Sequence, residues 1–195
     1  MKFWESLDTS LGKKYSSFKG RSGRSEFYYF LIFMFVVSFV WGMLGSFIFP
    51  QDTAGLEKEI ERITLQIANN QISEEEGLQM IFALTEEGMA SASFISKLFS
   101  IIPTVLFLLP GCAVGVRRMQ DLDIAYYAAI PYILNSFAWV ILAVLSTFSY
   151  ISLNSYISYL WILALIFIVY WLFYLRKGTG GPNRFGEDPN EITNN

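Results

Sequence analysis

Four long stretches without a charged residue dominate this chain. They cover about residues 27–49, 98–116, 124–145 and 156–175. A helix needs about 20 mostly apolar residues to cross the ~30 Å hydrocarbon core of a bilayer. Because that core holds no water, only helices and closed barrels can bond all of their backbone groups there. The sequence therefore predicts an all-α, polytopic four-helix transmembrane bundle, with residues 1–195 forming a single membrane domain.

The composition argues against several kinds of site. Hydrophobic residues make up 53% of the chain and charged residues 16%, against roughly 25% charged in a typical soluble domain. The net charge is −3, and there is no His, the commonest general base and metal ligand. The one cysteine, Cys112, lies inside an apolar stretch, so no internal disulfide can form. We therefore expect no metal site, no cofactor and no nucleic-acid partner.

Lysine and arginine are distributed unevenly among the connections. Six of the 14 basic residues precede the first stretch, two lie between the second and third, and three follow the fourth. The connection at 50–97 holds only Lys58, Arg62 and Lys97, against nine acids. Because basic residues are retained on the cytoplasmic side, we predict cytoplasmic termini and an outward-facing segment at 51–96. The first stretch is too long for a signal peptide, so we expect the mature protein to keep it.

The N-terminal segment, residues 1–26, is predicted to be cytoplasmic and amphipathic. Aromatic and leucine side chains recur there at helical spacing, with lysines between them: Phe3, Trp4, Leu7, Leu11, Tyr15 and Phe18. Such a helix lies in the membrane interface, with its aromatic side chains at the headgroup boundary and its lysines near anionic lipid. Gly12 interrupts the pattern, so a frayed terminus is the alternative interpretation.

The long connection at 50–97 is predicted to be an extracytoplasmic helical hairpin. Asn69 and Asn70 suit its turn, and Ser73 with Glu76 forms a capping box. The apolar stripes of its two helices are Leu56, Ile60, Ile63 and Ile67, followed by Leu78, Ile81 and Phe82. Two interpretations remain open: a small cap on the outer ends of the spans, or a docking surface for an extracytoplasmic partner.

Three polar motifs adjoin the apolar stretches on the side that is predicted to be cytoplasmic. They lie at 18–27, at 117–121 and at 177–189, the last within a glycine-rich tail at 176–195. Charges near the headgroups are costly unless they are paired, and glycines allow backbone to approach a surface closely. Arg117 and Asp121 are four residues apart and so share one helical face. We predict one cluster that contains Arg21, Arg24, Glu26, Arg117, Arg118, Asp121, Gly178, Thr179, Asn183 and Arg184.

These motifs resemble the bacterial inner-membrane family catalogued as domain of unknown function 805. That family looks like F-x-G-R-x-x-R-x-E-F before its first span, R-R-L-H-D between later spans and K-G-T-x-G-x-N-R-[FY]-G-x-D-P at its end. The resemblance implies a fold and an inner-membrane location, and no activity. The outer hairpin looks like an insertion. Gln120 replaces the family's His, and the chain has 123–127 where the family often has a G-x-S-G-W run.

Two roles fit the predicted cluster. It is either a structural network whose charges satisfy one another, or a site for phosphate-bearing lipid headgroups or an acidic partner, because guanidinium groups bind phosphate in a bidentate manner. The motif at 177–189 is not a nucleotide-binding P-loop, because no Gly-Lys-Ser/Thr opens a helix after a strand. The spans carry no ionisable residue of the kind that ion-coupled transporters use.

The first functional hypothesis is a non-enzymatic accessory, scaffold or assembly protein. Its partners would be membrane lipids, among them anionic ones, and a protein partner or a second copy, since Gly111, Ala113 and Gly115 allow close helix contact. The alternative is an oligomeric small-solute channel or transporter, with Asn135 as the strongest polar group inside a span. The third is a lipid-modifying enzyme, with Mg²⁺ held by Asp121, Asp123, Glu187 and Asp188.

Overall fold

Each of the four apolar stretches forms a long helix in a computed structural model of the chain, which describes residues 3–50 and 54–189. Within those ranges the only extended pairing is a single bridge between Asn183 and Gly186, so the predicted all-α fold is confirmed. The α-helices, in order, are α1 Phe3–Leu7, α2 Arg24–Ile48, α3 Ala54–Ala68, α4 Glu74–Ser91, α5 Phe94–Asp121, α6 Ile130–Thr147 and α7 Leu153–Tyr174.

Helices α2, α5, α6 and α7 are long and apolar enough to cross a membrane, as predicted. A 3₁₀ turn at Tyr126–Ala129 precedes α6. Helix α5 continues to Asp121, beyond the apolar stretch that ends near residue 116. The motif at 117–121 is therefore the last turn of a spanning helix, which gives its side chains fixed directions.

The spanning helices pack in the order α2, α5, α6 and α7. Gly115 makes the contact between α5 and α6 close, since a Cβ there would overlap the ring of Tyr132. Asn135 of α6 donates from Nδ2 to the Leu163 carbonyl of α7 at 3.4 Å, an interhelical hydrogen bond. We call the end of the bundle that carries the three polar motifs the motif end, and the opposite end the hairpin end.

The N-terminal segment packs on the motif end. Helix α1 continues as a π-helical stretch, Asp8–Lys13, and stops before Tyr15 and Phe18, earlier than the apolar pattern indicates. Its buried face carries Ser6 and Leu7, and the Ser6 hydroxyl donates to the Glu26 carbonyl at 3.2 Å. Its contact with α2 therefore includes a small serine as well as the edge-on packing of the Phe3 ring against Tyr29, with centroids 5.5 Å apart.

Two prolines interrupt the hydrogen bonding of α5, because a proline nitrogen cannot donate to the carbonyl four residues earlier. Pro103 frees the Phe99 carbonyl, which accepts instead from Trp41 Nε1 of α2 at 2.8 Å. Pro110 frees the Leu106 carbonyl, which accepts from the Tyr15 hydroxyl at 2.7 Å. Each freed carbonyl thus anchors an aromatic side chain from another segment, as buried backbone in a membrane protein requires.

The predicted helical hairpin is present as α3 and α4. Asn70 in its turn has φ 55°, and Ile63 is fully buried. The capping box is also confirmed: Glu76 N donates to Ser73 Oγ at 3.2 Å, and Ser73 N donates to Glu76 Oε2 at 3.1 Å. The Ser73 backbone N–H holds the pKa of the Glu76 carboxyl below its usual value. Helix α4 also touches α7, so the hairpin lies over one end of the bundle.

Candidate functional site at the motif end

The Asp121 carboxylate is the centre of the site. It ends α5, and its side chain is 1% exposed. Arg21, which precedes α2, donates from Nε to Oδ1 at 3.0 Å, with its Nη2 2.9 Å from the same oxygen. Arg118 Nη1 binds the other oxygen, Oδ2. One buried carboxylate therefore holds two buried guanidinium groups that come from different segments.

Arg118 also joins α5 to the end of α7. Its Nη2 donates to the Tyr174 carbonyl at 3.0 Å and to the Arg176 carbonyl. The last carbonyls of a helix have no partner within the helix and carry partial negative charge. A guanidinium group supplies both hydrogen-bond donors and a positive charge to these carbonyls. Arg118 is therefore a side-chain cap for α7 as well as a partner of Asp121.

The glycine-rich tail closes over this carboxylate. Thr179 donates to the Asp121 carbonyl from its backbone N at 2.9 Å and from Oγ1 at 3.1 Å. A Cβ at Gly178 would overlap the Asp121 carboxylate, so only glycine fits there. Arg21 Nη1 donates to the Gly181 carbonyl at 2.6 Å. The tail is thus bound from both sides, through the backbone of α5 and through the guanidinium of Arg21.

Asn183 fixes the turn that follows. Its Nδ2 donates to the Gln120 carbonyl and to Thr179 Oγ1, both at 3.0 Å, and its Oδ1 accepts from Phe185 N at 2.9 Å. The backbone groups of Asn183 and Gly186 exchange two hydrogen bonds, and Gly186 has φ 136°, a value that favours glycine. The order of glycines and asparagine in the motif is therefore what this loop requires.

Arg117 and Glu26 form a second buried ion pair, at 2.6 Å from Nη1 to Oε1. The Ser10 hydroxyl donates to the same Glu26 oxygen at 3.0 Å, and Ser22 N donates to the Arg117 carbonyl at 3.1 Å. Arg117 therefore joins α5 to the N-terminal segment and to α2. The remaining Arg117 donors, Nε and Nη2, are buried without a partner in the described part of the chain.

The spacing places Arg117 and Asp121 on one helical face, but the two side chains do not pair. Arg117 binds Glu26, and Asp121 binds Arg118 and Arg21. Residues three and four apart are both neighbours on a helix, so the spacing fits either arginine. The position of α2 decides the outcome, because its first turn brings Glu26 to Arg117.

Eight of the ten predicted residues meet in this network, and Arg24 and Arg184 lie outside it. Arg24 is exposed and has no ion-pair partner among residues 3–50 and 54–189. Arg184 forms an exposed pair with Asp123, at 2.9 Å from Nε to Oδ1. The eight that meet are Arg21, Glu26, Arg117, Arg118, Asp121, Gly178, Thr179 and Asn183.

Gln120 and Ser10 contribute side chains to the network and were not in the predicted set. Gln120, at the position of the family's His, donates from Nε2 to the Phe18 carbonyl at 2.9 Å and so binds the start of the first motif. Its place inside the motif at 117–121 was the available signal. Ser10 lies in the segment whose aromatic stripe predicts an interfacial helix, and nothing in that stripe indicates a buried hydroxyl.

The acids at the motif end do not converge on a metal-binding geometry. Asp121 binds two arginines, and Asp123 pairs with Arg184. Asp188 is buried and accepts from Gly181 N at 3.2 Å. Across the described ranges, no group of three or more His, Cys, Asp or Glu side chains is placed to hold a metal ion.

A comparison with protein families finds a match over most of the chain. The family described as "Protein of unknown function (DUF805)" matches residues 15–187, a range that includes the first two polar motifs, the third as far as residue 187, and the hairpin. Neither the curated proteins nor the solved structures contain a match to the chain.

Proposed function

Because the chain belongs to the DUF805 family, whose function is unknown, we propose a role from the geometry of its motif end. The protein is a non-enzymatic accessory, scaffold or assembly protein of the bacterial inner membrane. Its motif end faces the cytoplasm and binds anionic lipid headgroups or an acidic partner protein. The buried network holds three chain segments together, and the basic side chains around it make the contact.

The observation that supports this proposal is that the basic residues fall into two groups: buried ones that hold the segments together, and exposed ones that are free to contact a ligand. Arg21 and Arg118 are fully buried and bonded to the protein, so they are not available to a ligand. Around them lie exposed basic side chains with no acidic partner in the described ranges: Lys19, Arg24, Arg176 and Lys177. Near an anionic membrane surface each such residue contributes about 1 kcal/mol of binding. A band of this kind suits phosphate-bearing headgroups.

The state of the acids supports a non-enzymatic role. A general base needs a carboxylate that can reach a substrate proton. Glu26 and Asp121 are buried, and each is occupied by arginine. Asp123 is exposed but also paired with an arginine.

The proposed orientation is tested by labelling single cysteines in whole cells. In a Cys112→Ser background, Glu74→Cys is placed on the hairpin and Glu187→Cys on the tail, where both side chains are exposed. The impermeant thiol reagent should label Glu74→Cys in intact cells and Glu187→Cys only after lysis, because basic connections are retained inside. Labelling of Glu187→Cys alone in intact cells would reverse the topology.

The lipid contact is tested on the full-length protein by native mass spectrometry. The protein is released from vesicles of equal phosphatidylglycerol and phosphatidylcholine content. We expect Arg24→Gln/Lys177→Gln to lower retained phosphatidylglycerol about tenfold or more, since each charge contributes about 1 kcal/mol. The melting temperature should stay unchanged, because both side chains are exposed.

The matched control removes two basic charges from the hairpin, as Lys58→Gln/Arg62→Gln. It should leave retained phosphatidylglycerol at the level of the unchanged protein. If neither double variant loses phosphatidylglycerol, the lipid contact at the motif end is refuted. If both lose it to the same extent, net charge, and not this surface, controls retention.

A further inference from the structure

Two stripes of small side chains face each other across α2 and α5 near the hairpin end. On α2 they are Ser38, Gly42 and Ser46, and on α5 they are Ser96, Ser100 and Thr104, each set at a spacing of four residues. Stripes of this kind normally let two membrane helices approach closely. Here a cavity of about 560 Å³ lies between them. The small side chains therefore leave an open space beside the contact between Trp41 and Phe99, where α2 and α5 touch.

This cavity continues in both directions. Toward the hairpin it shares Phe49, Pro50 and Ser96 with a cavity of about 850 Å³ under α3 and α4. Toward the middle of the bundle it shares three lining residues with a third cavity, of about 460 Å³: Ser38, Pro103 and Thr104. We call the three together the crevice. Along α5 it covers about 22 Å between Ser96 and Gly111, at 1.5 Å per residue.

The crevice is open to the bilayer at its side. Phe35 lines the innermost cavity and is nevertheless 72% exposed. The opening lies between α2 and α7, because α2 packs on α5 whereas α7 packs on α6. In the innermost cavity, Cys112 and Tyr132 lie near the core of the motif end. A molecule that enters from the lipid phase therefore extends toward the buried core of the motif end.

The mouth under the hairpin is lined by acidic side chains, and Lys97 directly follows one of its lining residues, Ser96. Glu59 and Glu87 line it, with no lysine or arginine among its described lining residues. Glu59 pairs with Arg62, whereas Glu87 has no ion-pair partner in the ranges that the structure covers. Beside the mouth, Lys97 donates from Nζ to the Ala90 carbonyl at 3.0 Å and keeps two further donors. Glu87 suits an ammonium group, and Lys97 suits a phosphate.

We propose that the crevice binds one molecule of an amine-bearing phospholipid. One hydrocarbon chain of the lipid lies between α2 and α5, its ammonium group lies at Glu87 and its phosphate at Lys97. Three observations carry the assignment: the innermost cavity is lined mostly by apolar side chains and is open to the bilayer, the length of the crevice suits an extended acyl chain, and Glu87 at the mouth with Lys97 beside it complements a zwitterionic headgroup. The inference is independent of the proposed role of the motif end, which lies at the other end of the bundle.

The test fills the crevice in the full-length protein. A Cβ at Gly42 meets nothing within 4 Å, and Gly42 lines the crevice, so Gly42→Phe should place its ring in that space. The control is Val40→Phe on the exposed face of the same helix. After purification from vesicles of equal phosphatidylethanolamine and phosphatidylglycerol content, the unchanged protein should retain one phosphatidylethanolamine by native mass spectrometry. Gly42→Phe should reduce that occupancy more than about tenfold, since each methylene excluded weakens binding several-fold.

A second variant tests the headgroup without altering the crevice. Glu87→Gln should lower the preference for phosphatidylethanolamine over phosphatidylglycerol at least severalfold, whereas Glu61→Gln, which also removes one exposed hairpin acid, should not. A phosphatidylethanolamine with a diazirine at its chain end should cross-link the peptide containing residues 104–112, and Gly42→Phe should abolish that product. The proposal is overturned if Gly42→Phe leaves the lipid occupancy undiminished. It is also overturned if the protein prefers phosphatidylglycerol and Glu87→Gln leaves that preference unchanged, or if a second copy of the chain is bound in place of lipid.

Discussion

Replacing Asp121 by Asn is expected to lower the free energy of unfolding by about 3–5 kcal/mol, the cost of leaving a buried charge without its partner. The carboxylate is bound by Arg21 and Arg118, and all three side chains are buried. Asparagine keeps the shape but loses the charge, so two guanidinium groups remain in the interior. The measurement is denaturant-induced unfolding of the full-length protein in detergent micelles.

Asp123→Asn is the matched control, two residues along the chain. Its pair with Arg184 is about half exposed on both sides, and such pairs contribute about 1 kcal/mol or less. A double-mutant cycle then separates coupling from general damage. The loss caused by Arg21→Met should be smaller in the Asp121→Asn background than in the unchanged protein. Strictly additive losses would mean that Arg21 and Asp121 do not stabilise each other.

The fold followed from the sequence because one physical constraint controls it. A chain with four uncharged stretches of bilayer length has few alternatives to four helices, and α2, α5, α6 and α7 fall on those stretches. The hairpin was predictable from local sequence signals, namely the capping box at Ser73 and the turn at Asn70. Each of these signals acts over a few neighbouring residues, so tertiary packing does not need to be known.

The sequence predicts which residues belong to the site but not which side chains pair with each other. Three motifs that adjoin apolar stretches on one predicted side had to lie at one end of the bundle, which is where Arg21, Asp121 and the tail meet. The choice between Arg117 and Arg118 as the partner of Asp121 depends on how α2 and α7 surround α5. Helix geometry alone leaves that choice open.

The prolines and the crevice depend even more on packing. The sequence indicates that Pro103 frees a carbonyl, but nothing near it in the chain specifies Trp41 as the donor. Small residues at Ser38, Gly42 and Ser46 predict close helix contact as readily as open space. Only the cavity that these residues line in the structure distinguishes the two.

Gly178→Ala is expected to release the tail from the motif end. Its Cβ would overlap the Asp121 carboxylate, so either the tail backbone or the carboxylate must move, and the hydrogen bonds from Thr179 to Asp121 stretch or break. Overpacking of a filled site costs about 1–3 kcal/mol. We expect a loss of that size in unfolding free energy, with faster proteolytic cleavage of the tail.

Gly180→Ala supplies the control on the same loop, because a Cβ there meets nothing within 4 Å, and it should change stability by no more than about 0.5 kcal/mol. If both variants behave alike, the close approach of the tail to Asp121 does not stabilise the motif end, and the network must be held by its arginines alone.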